Sequence, residues 1–313
     1  MKKITMNISN VKTVKEGFKE FIQYCKVKNL SEKTIKNYYK AFDYFTDFYD
    51  WNNEVADITQ QTVLQFTLHL QENYNMQSVE SINTWLRYMR SVFNYWAELG
   101  YMKKVKVTLQ KGEEKIKETY SDAELKILLK KPDLKKCTFT EYRTWMIINF
   151  LLGTGCRVRT LVNIKIGDLD LENMLVKYTT TKNRRQQIIP ITVSLQKVLV
   201  EYLKYRGGEV NDYLFPSENN TKLLETTINH SVNKYHRARG ITKTGVHRYR
   251  HTFAKNWILA GGDPFSLKTI LGHSDMQIVS KYVNMFSDDL KNNFSQFNPL
   301  ERFSNSSHIK LRK

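Results

Sequence analysis

Cysteine is scarce in this chain of 313 residues, and the three present, Cys25, Cys137 and Cys156, are odd in number and far apart. With no Cys-x-x-Cys spacing among them, they form neither a disulfide framework nor a zinc knuckle. They read as small apolar residues of the core. Long apolar runs are also missing: nothing approaches the roughly 20 consecutive apolar residues that cross a bilayer. Met1 to Asn10 lack the apolar stretch of a secretion signal, so the expectation is a cytoplasmic protein with no membrane partner. Acidic residues are the third shortage, 31 Asp and Glu against 49 Lys and Arg, for a formal net charge of +18. A surplus of that size, spread along the whole chain, suggests a polyanionic partner, nucleic acid first. A lipid surface fits less well, because no segment forms a lone basic amphipathic anchor.

What is present divides the chain in two, as its length allows. Apolar residues recur at helical spacing at Val14, Phe18, Phe21, Ile22 and Cys25, and again at Ile35, Tyr38, Phe42, Phe45 and Tyr49 behind a capping Ser31. Thr59 opens a third helix through Val63, Phe66 and Leu70, and Ser78 a fourth through Ile82, Trp85, Leu86, Met89 and Trp96, which Gly100 stops. Residues 12–102 therefore read as a four-helix domain whose aromatic side chains pack its core. Residues 103–119 carry six lysines with little apolar periodicity and read as a basic linker.

A second domain is expected over 120–290. Ser121-Asp122-Ala123-Glu124 is a capping box, and a helix from Thr138 runs through Trp145, Ile148 and Leu151 to Gly153. Alternating segments at 168–171, 174–180 and 186–191 predict a small antiparallel sheet, with turns at Glu172-Asn173 and at Lys182 to Arg185. Helices return beyond Pro190, with caps at Thr192, Asp263 and Ser274. The fold class is mainly α with a small antiparallel β-sheet, and residues 291–313 form a polar tail.

The chemistry-bearing residues are scattered: Arg157, Lys182, His247, Arg250, His273, and Tyr282 nine residues further on. Cleaving a phosphodiester needs a nucleophile, neutralisation of the non-bridging oxygens and protonation of the leaving oxygen. Metal nucleases use clustered carboxylates to hold a cation, but Arg157 to Arg159 and His247 to His251 contain no acid. Guanidinium groups fit phosphate with planar, bidentate donors instead, so neither a metal nor another cofactor is expected. His247 and His251, four apart on a predicted helix, have zinc-site spacing, yet Arg248 and Arg250 between them repel a dication and no Glu is present as base. A phenol with an ordinary pKa of about 10 attacks well only when its proton is removed or its anion is stabilised by nearby cations. Two arginines and a histidine would do that for Tyr282.

These segments resemble the tyrosine recombinases, also called phage integrases. The resemblance rests on Thr154-Gly155-Cys156-Arg157, on Thr181-Lys182 followed by Ile188-Ile189-Pro190, on His247-Arg248-Tyr249-Arg250-His251-Thr252, and on Leu271-Gly272-His273 with Tyr282. Residues 12–102 are similar to the family's core-binding domain, so it covers nearly the whole chain. It implies that Tyr282 attacks the scissile phosphate to give a 3′-phosphotyrosyl link, while Arg157, Arg250 and His273 hold the non-bridging oxygens. Lys182, sharing its turn with Arg184 and Arg185, would protonate the leaving 5′-oxygen, and His247 would act as acid or base. It further implies duplex DNA with inverted half-sites as the partner, a synaptic tetramer exchanging the C-terminal tail, and no small-molecule substrate. Arg87, Arg90, Lys103 and Lys104 are candidate DNA contacts. With only about a dozen residues before the first helix, a simple recombinase is expected, serving integration, excision or resolution of a mobile element or replicon. The alternatives are a monomeric topoisomerase or hairpin-end resolvase with the same chemistry, and a DNA-binding regulator without catalysis.

Four positions depart from the family's pattern. Thr160 stands where an acid is common, Arg248 and Tyr249 where an Asp and a Leu are common, and Ser280 where Thr is frequent. A basic clamp binds duplex DNA with a steep salt dependence. Anisotropy titrations are expected to show about 10³-fold weaker binding at about 200 mM salt than at about 50 mM, as for six or more phosphate contacts. A flat dependence contradicts the clamp.

Overall fold

In a computed structural model of the protein, which describes residues 12–74, 76, 78–112, 118–179, 186–272, 276 and 280, the chain separates into two compact units, 1–115 and 116–313. Among the described residues it forms eleven α-helices and one three-stranded antiparallel sheet.

The N-terminal unit contains helices α1 (Val14–Val27), α2 (Glu32–Thr46), α3 (Gln60–Asn73) and α4 (Val79–Glu98). Thr13, Ser31 and Thr59 accept the hydrogen bonds that start the first three, the latter two as their sequence positions predict. Phenylalanines dominate the interior: Phe18 stacks on Phe42 at 3.7 Å, and Phe45 meets Phe66 and Phe93 edge-on. The expectation of a purely internal aromatic set holds for these but not for Tyr44, Trp85 and Tyr88. Those three are only half-buried along α2 and α4, with the Lys40 ammonium 5.3 Å from the Trp85 ring centre.

The segment read as a basic linker, 103–119, is laid along this unit over residues 103–112. Val107 is buried, and Val105 and Leu109 pack on the same core. Gln60 exchanges two hydrogen bonds of 2.8 Å with the backbone of Lys106, and Asn83 does the same with Gln110 at 2.8 and 2.9 Å. The apolar side chains alternate with period two in an extended chain, each separated by a lysine or threonine. A search for helical period passes over that pattern.

In the C-terminal unit come α5 (Asp122–Leu128), α6 (Phe139–Thr154) and α7 (Val158–Leu161), then strands β1 (Leu169–Asp170), β2 (Leu175–Tyr178) and β3 (Gln187–Pro190). Helices α8 (Val193–Arg206), α9 (Glu225–Arg237), α10 (His247–Leu259) and α11 (Pro264–Leu271) complete it. The strands pair in sequence order, Leu169 opposite Val176 and Val176 opposite Ile189. They are shorter than the alternation predicted. The Glu172-Asn173 turn is present: Asp170 accepts the Asn173 amide at 3.0 Å and Met174 takes a left-handed φ of 55°. Helix α6 is buried on most sides and packs against α8, α9 and α10, forming the axis of this unit. Cys25 and Cys156 are buried, Cys137 is half-buried, and all three are free thiols.

Gly17, on the buried face of α1, is what lets Trp96 approach. A Cβ there would meet Trp96 Nε1 at 2.8 Å and Val55 Cγ2 at 3.3 Å. Alanine favours a helix interior by about 1 kcal/mol, but overpacking a filled core costs about 1–3 kcal/mol. Gly17→Ala is therefore expected to lower stability by about 1 kcal/mol in urea unfolding; a gain in stability would show that Trp96 can move aside.

Candidate active site

The site is built where two helices end. Gly155 closes α6 and Gly272 closes α11, each in the left-handed conformation (φ 62° and 59°) that an L side chain rarely adopts. Helix C-termini expose carbonyl oxygens and carry partial negative charge. Two arginines bind there. Arg250, from the first turn of α10 and only 6% exposed, donates to Gly155 O at 2.8 Å and to Leu271 O at 2.7 Å. Arg157, the residue preceding α7, donates to the same Leu271 oxygen at 3.2 Å and to Gly272 O at 3.4 Å. Residues 93 apart in sequence thus converge on one carbonyl.

Gln187 joins them from the sheet. Its amide donates to Ile270 O at 3.1 Å and to Thr269 O, tying the start of β3 to the end of α11. No motif flagged Gln187; its signal was only its place just after the turn that carries Lys182. His247 sits one helical turn before Arg250 and is exposed, and His251 is half-buried. Lys182, His273 and Tyr282 lie outside the described residues. Ser280 is described, with its amide donating to Met276 O at 2.9 Å. Arg87, Arg90, Lys103 and Lys104 are all exposed, in the N-terminal unit.

Behind Arg250 the wall is apolar. Burial pushes the Cys156 thiol up to about 11, although Arg250 pulls the other way, and it raises the Tyr178 phenol well above its ordinary value. Thr160 is buried on α7, so that position offers a hydroxyl in place of a carboxylate.

The other side of α10 is held by polar contacts that sequence reasoning did not single out. Arg248 pairs with Glu118, which holds that carboxyl below its usual range. Thr252 accepts the Tyr120 amide at 3.0 Å, and Lys243 pairs with Glu124 at 3.2 Å. The Tyr249 hydroxyl lies 2.6 Å from Nε2 of His236, whose imidazole pKa is lowered by burial. Among the described residues no three of His, Cys, Asp or Glu gather closely enough to hold a metal ion. A cleft lined by Lys130, Lys136, Cys137 and Arg239 includes neither the two arginines of the site nor His247 or Gln187.

The Phage integrase family model matches residues 118–288, and the model of the phage integrase N-terminal SAM-like domain matches 18–101. The chain is 26% identical over 276 residues to a tyrosine recombinase of Pseudothermotoga lettingae, covering 88% of this chain and 94% of that protein. Among solved structures it is similar to the Tn1549 transposon integrase in complex with transposon right end DNA, with a TM-score of 0.72 and 18% identity over 91% of this chain and 99% of that one. It is also similar to a lambda integrase tetramer bound to a Holliday junction, with a TM-score of 0.67 and 16% identity over 86% of this chain and 80% of that one.

Gly155 is the tightest point. A Cβ there would meet Leu271 Cδ2 and Phe253 Cδ1, each at 2.7 Å, on a residue at φ 62°. Gly155→Ala is expected to destabilise the C-terminal unit by about 2–4 kcal/mol, left-handed strain adding to overpacking. Thermal unfolding measures this; an unchanged melting temperature would show that Leu271 and Phe253 yield freely.

Proposed function

This chain belongs to the phage integrase family, the tyrosine recombinases, and from that premise we propose how its own residues carry out the reaction. It is a site-specific DNA recombinase, an enzyme that cleaves and rejoins DNA strands. The observation that carries the residue assignment is the meeting of Arg157 and Arg250 at the carbonyl of Leu271, two residues before His273.

In the proposed reaction the Tyr282 phenol loses its proton and attacks the scissile phosphorus. A 3′-phosphotyrosyl ester forms as the bond to the 5′-oxygen breaks. Arg157 and Arg250 neutralise the charge on the non-bridging oxygens through bidentate donors, and His273 adds a hydrogen bond there. Lys182 protonates the departing 5′-oxygen, and His247 exchanges a proton near Tyr282. The ester retains the phosphodiester's energy, so attack by a 5′-hydroxyl reverses the step and joins the strand to a new partner without ATP.

Duplex DNA with inverted half-sites is the proposed substrate, gripped by the helical domain of residues 12–102 and the catalytic domain of 120–290. On the helical domain Arg87 and Arg90 of α4 are exposed, and so are Lys33, Lys36 and Lys40 of neighbouring α2, which the sequence reading did not pick out. Together with Lys103 and Lys104 they supply the phosphate contacts of one face. Assembly into a synaptic tetramer with exchange of the C-terminal segment 291–313, and action on a mobile element or replicon in the cytoplasm, complete the proposal. No described helix is long and apolar enough to cross a membrane.

A duplex nicked next to the cleavage position traps the covalent intermediate, because the short 5′-hydroxyl strand diffuses away. Wild type is expected to accumulate the adduct and Tyr282→Phe to give none. Arg157→Lys, which keeps the charge but loses the fork, is expected to react about 10²- to 10³-fold more slowly. An adduct persisting in Tyr282→Phe removes Tyr282 from its role.

A further inference from the structure

Helix α10 begins badly by the usual rules. Val246 precedes it in a helical conformation and gives no side-chain cap, and the first turn holds His247, Arg248 and Arg250 with no acid. Cations at a helix N-terminus oppose the macrodipole, and in place of a side-chain cap the Arg248 and Tyr249 amides close back onto Gly245 O at 3.1 Å and Val246 O at 3.2 Å. The placement of this turn therefore depends on what holds the loop at 245–246 from outside the helix.

A buried cluster supplies that hold. Tyr249 is fully buried, its ring centre 4.6 Å from that of Tyr120, with its hydroxyl 2.6 Å from His236 Nε2. His236, also fully buried, has Nδ1 3.0 Å from Lys243 O. A carbonyl only accepts, so Nδ1 carries the proton and Nε2 accepts from the Tyr249 hydroxyl. The Tyr120 hydroxyl donates to Gly245 O at 3.3 Å, and its amide to Thr252 at 3.0 Å. One imidazole and two phenols thus fix both the loop leading to His247 and the helix turn after it.

We propose that His236, Tyr249 and Tyr120 are positioning residues for strand cleavage, setting the first turn of α10 so that His247 and Arg250 meet the scissile phosphate. The proposal rests on the reading of His247 and Arg250 as catalytic groups. None of the three touches the DNA; each acts through the helix. The Tyr249 hydroxyl is the sharpest handle, because removing it strands a buried acceptor on His236 while leaving the ring packing intact.

The test compares Tyr249→Phe with Tyr235→Phe. Tyr235 lies on the same helix as His236, and its buried hydroxyl donates to Leu128 O of α5 at 3.2 Å, so its removal costs a buried hydrogen bond made to α5 and not to His236 or α10. Single-turnover cleavage of the nicked duplex at saturating protein, DNA affinity by anisotropy and thermal unfolding are measured for each. Tyr249→Phe is expected to slow cleavage about 10-fold, since small misplacements of catalytic groups carry large rate penalties, with DNA affinity within about twofold of wild type. Tyr235→Phe is expected to leave rate and affinity unchanged at a similar loss of melting temperature. His236→Gln, whose amide oxygen can accept the Tyr249 proton, should recover most of the rate, and His236→Leu should not. Equal rates for Tyr249→Phe and Tyr235→Phe, with wild type forming its adduct, overturn the positioning role alone. Failure of wild type to form a tyrosine-linked adduct overturns the catalytic reading as well.

Discussion

The carbonyl oxygen of Leu271 accepts hydrogen bonds from two guanidinium groups, Arg250 at 2.7 Å and Arg157 at 3.2 Å, and the arrangement of the C-terminal unit follows from that constraint. Two like charges sharing one acceptor repel each other. Here the ends of α6 and α11 meet them with oriented carbonyls and the negative ends of two helix dipoles. The glycines at 155 and 272 are required because each helix must end in a left-handed residue to present those oxygens. Backbone carbonyls bear no full negative charge, so a guanidinium resting on them keeps its attraction for an anion.

That solution places a demand on α10, which must carry basic residues in a first turn that no preceding side chain caps. The surrounding chain meets the demand from outside the helix. Glu118 neutralises Arg248, Glu124 takes Lys243, and the Tyr120, Tyr249 and His236 cluster fixes the turn through buried hydrogen bonds. Arg248 and Tyr249, departures when set beside the family's pattern, are both engaged by the segment 118–120. Each departure has a partner of its own: a cation at 248 finds an anion at 118, and a phenol at 249 finds an imidazole at 236.

Helices were legible where a polar cap preceded an apolar period, as at Ser31, Thr59, Ser121 and Thr192, because capping and amphipathic spacing are local properties. Residues 103–112 were misread because their order is tertiary. Gln60 and Asn83 grip the backbone of Lys106 and Gln110, and no local pattern announces a side chain 46 or 27 residues away. The roles of Gln187 and His236 were invisible for the same reason.

The sequence by itself determined the chemistry on offer: a strongly basic chain, no clustered acids around its arginines, and a tyrosine spaced after a Gly-His pair, in an order that marked the family. Residue type and spacing are enough for that, because ionisation and hydrogen-bonding capacity belong to side chains. Only the tertiary structure decided that Arg157 and Arg250 share an acceptor, that Gln187 binds the end of α11, and that a buried imidazole holds the first turn of α10. Those are distances between groups far apart along the chain, and they exist only once α6, α9, α10 and α11 have packed.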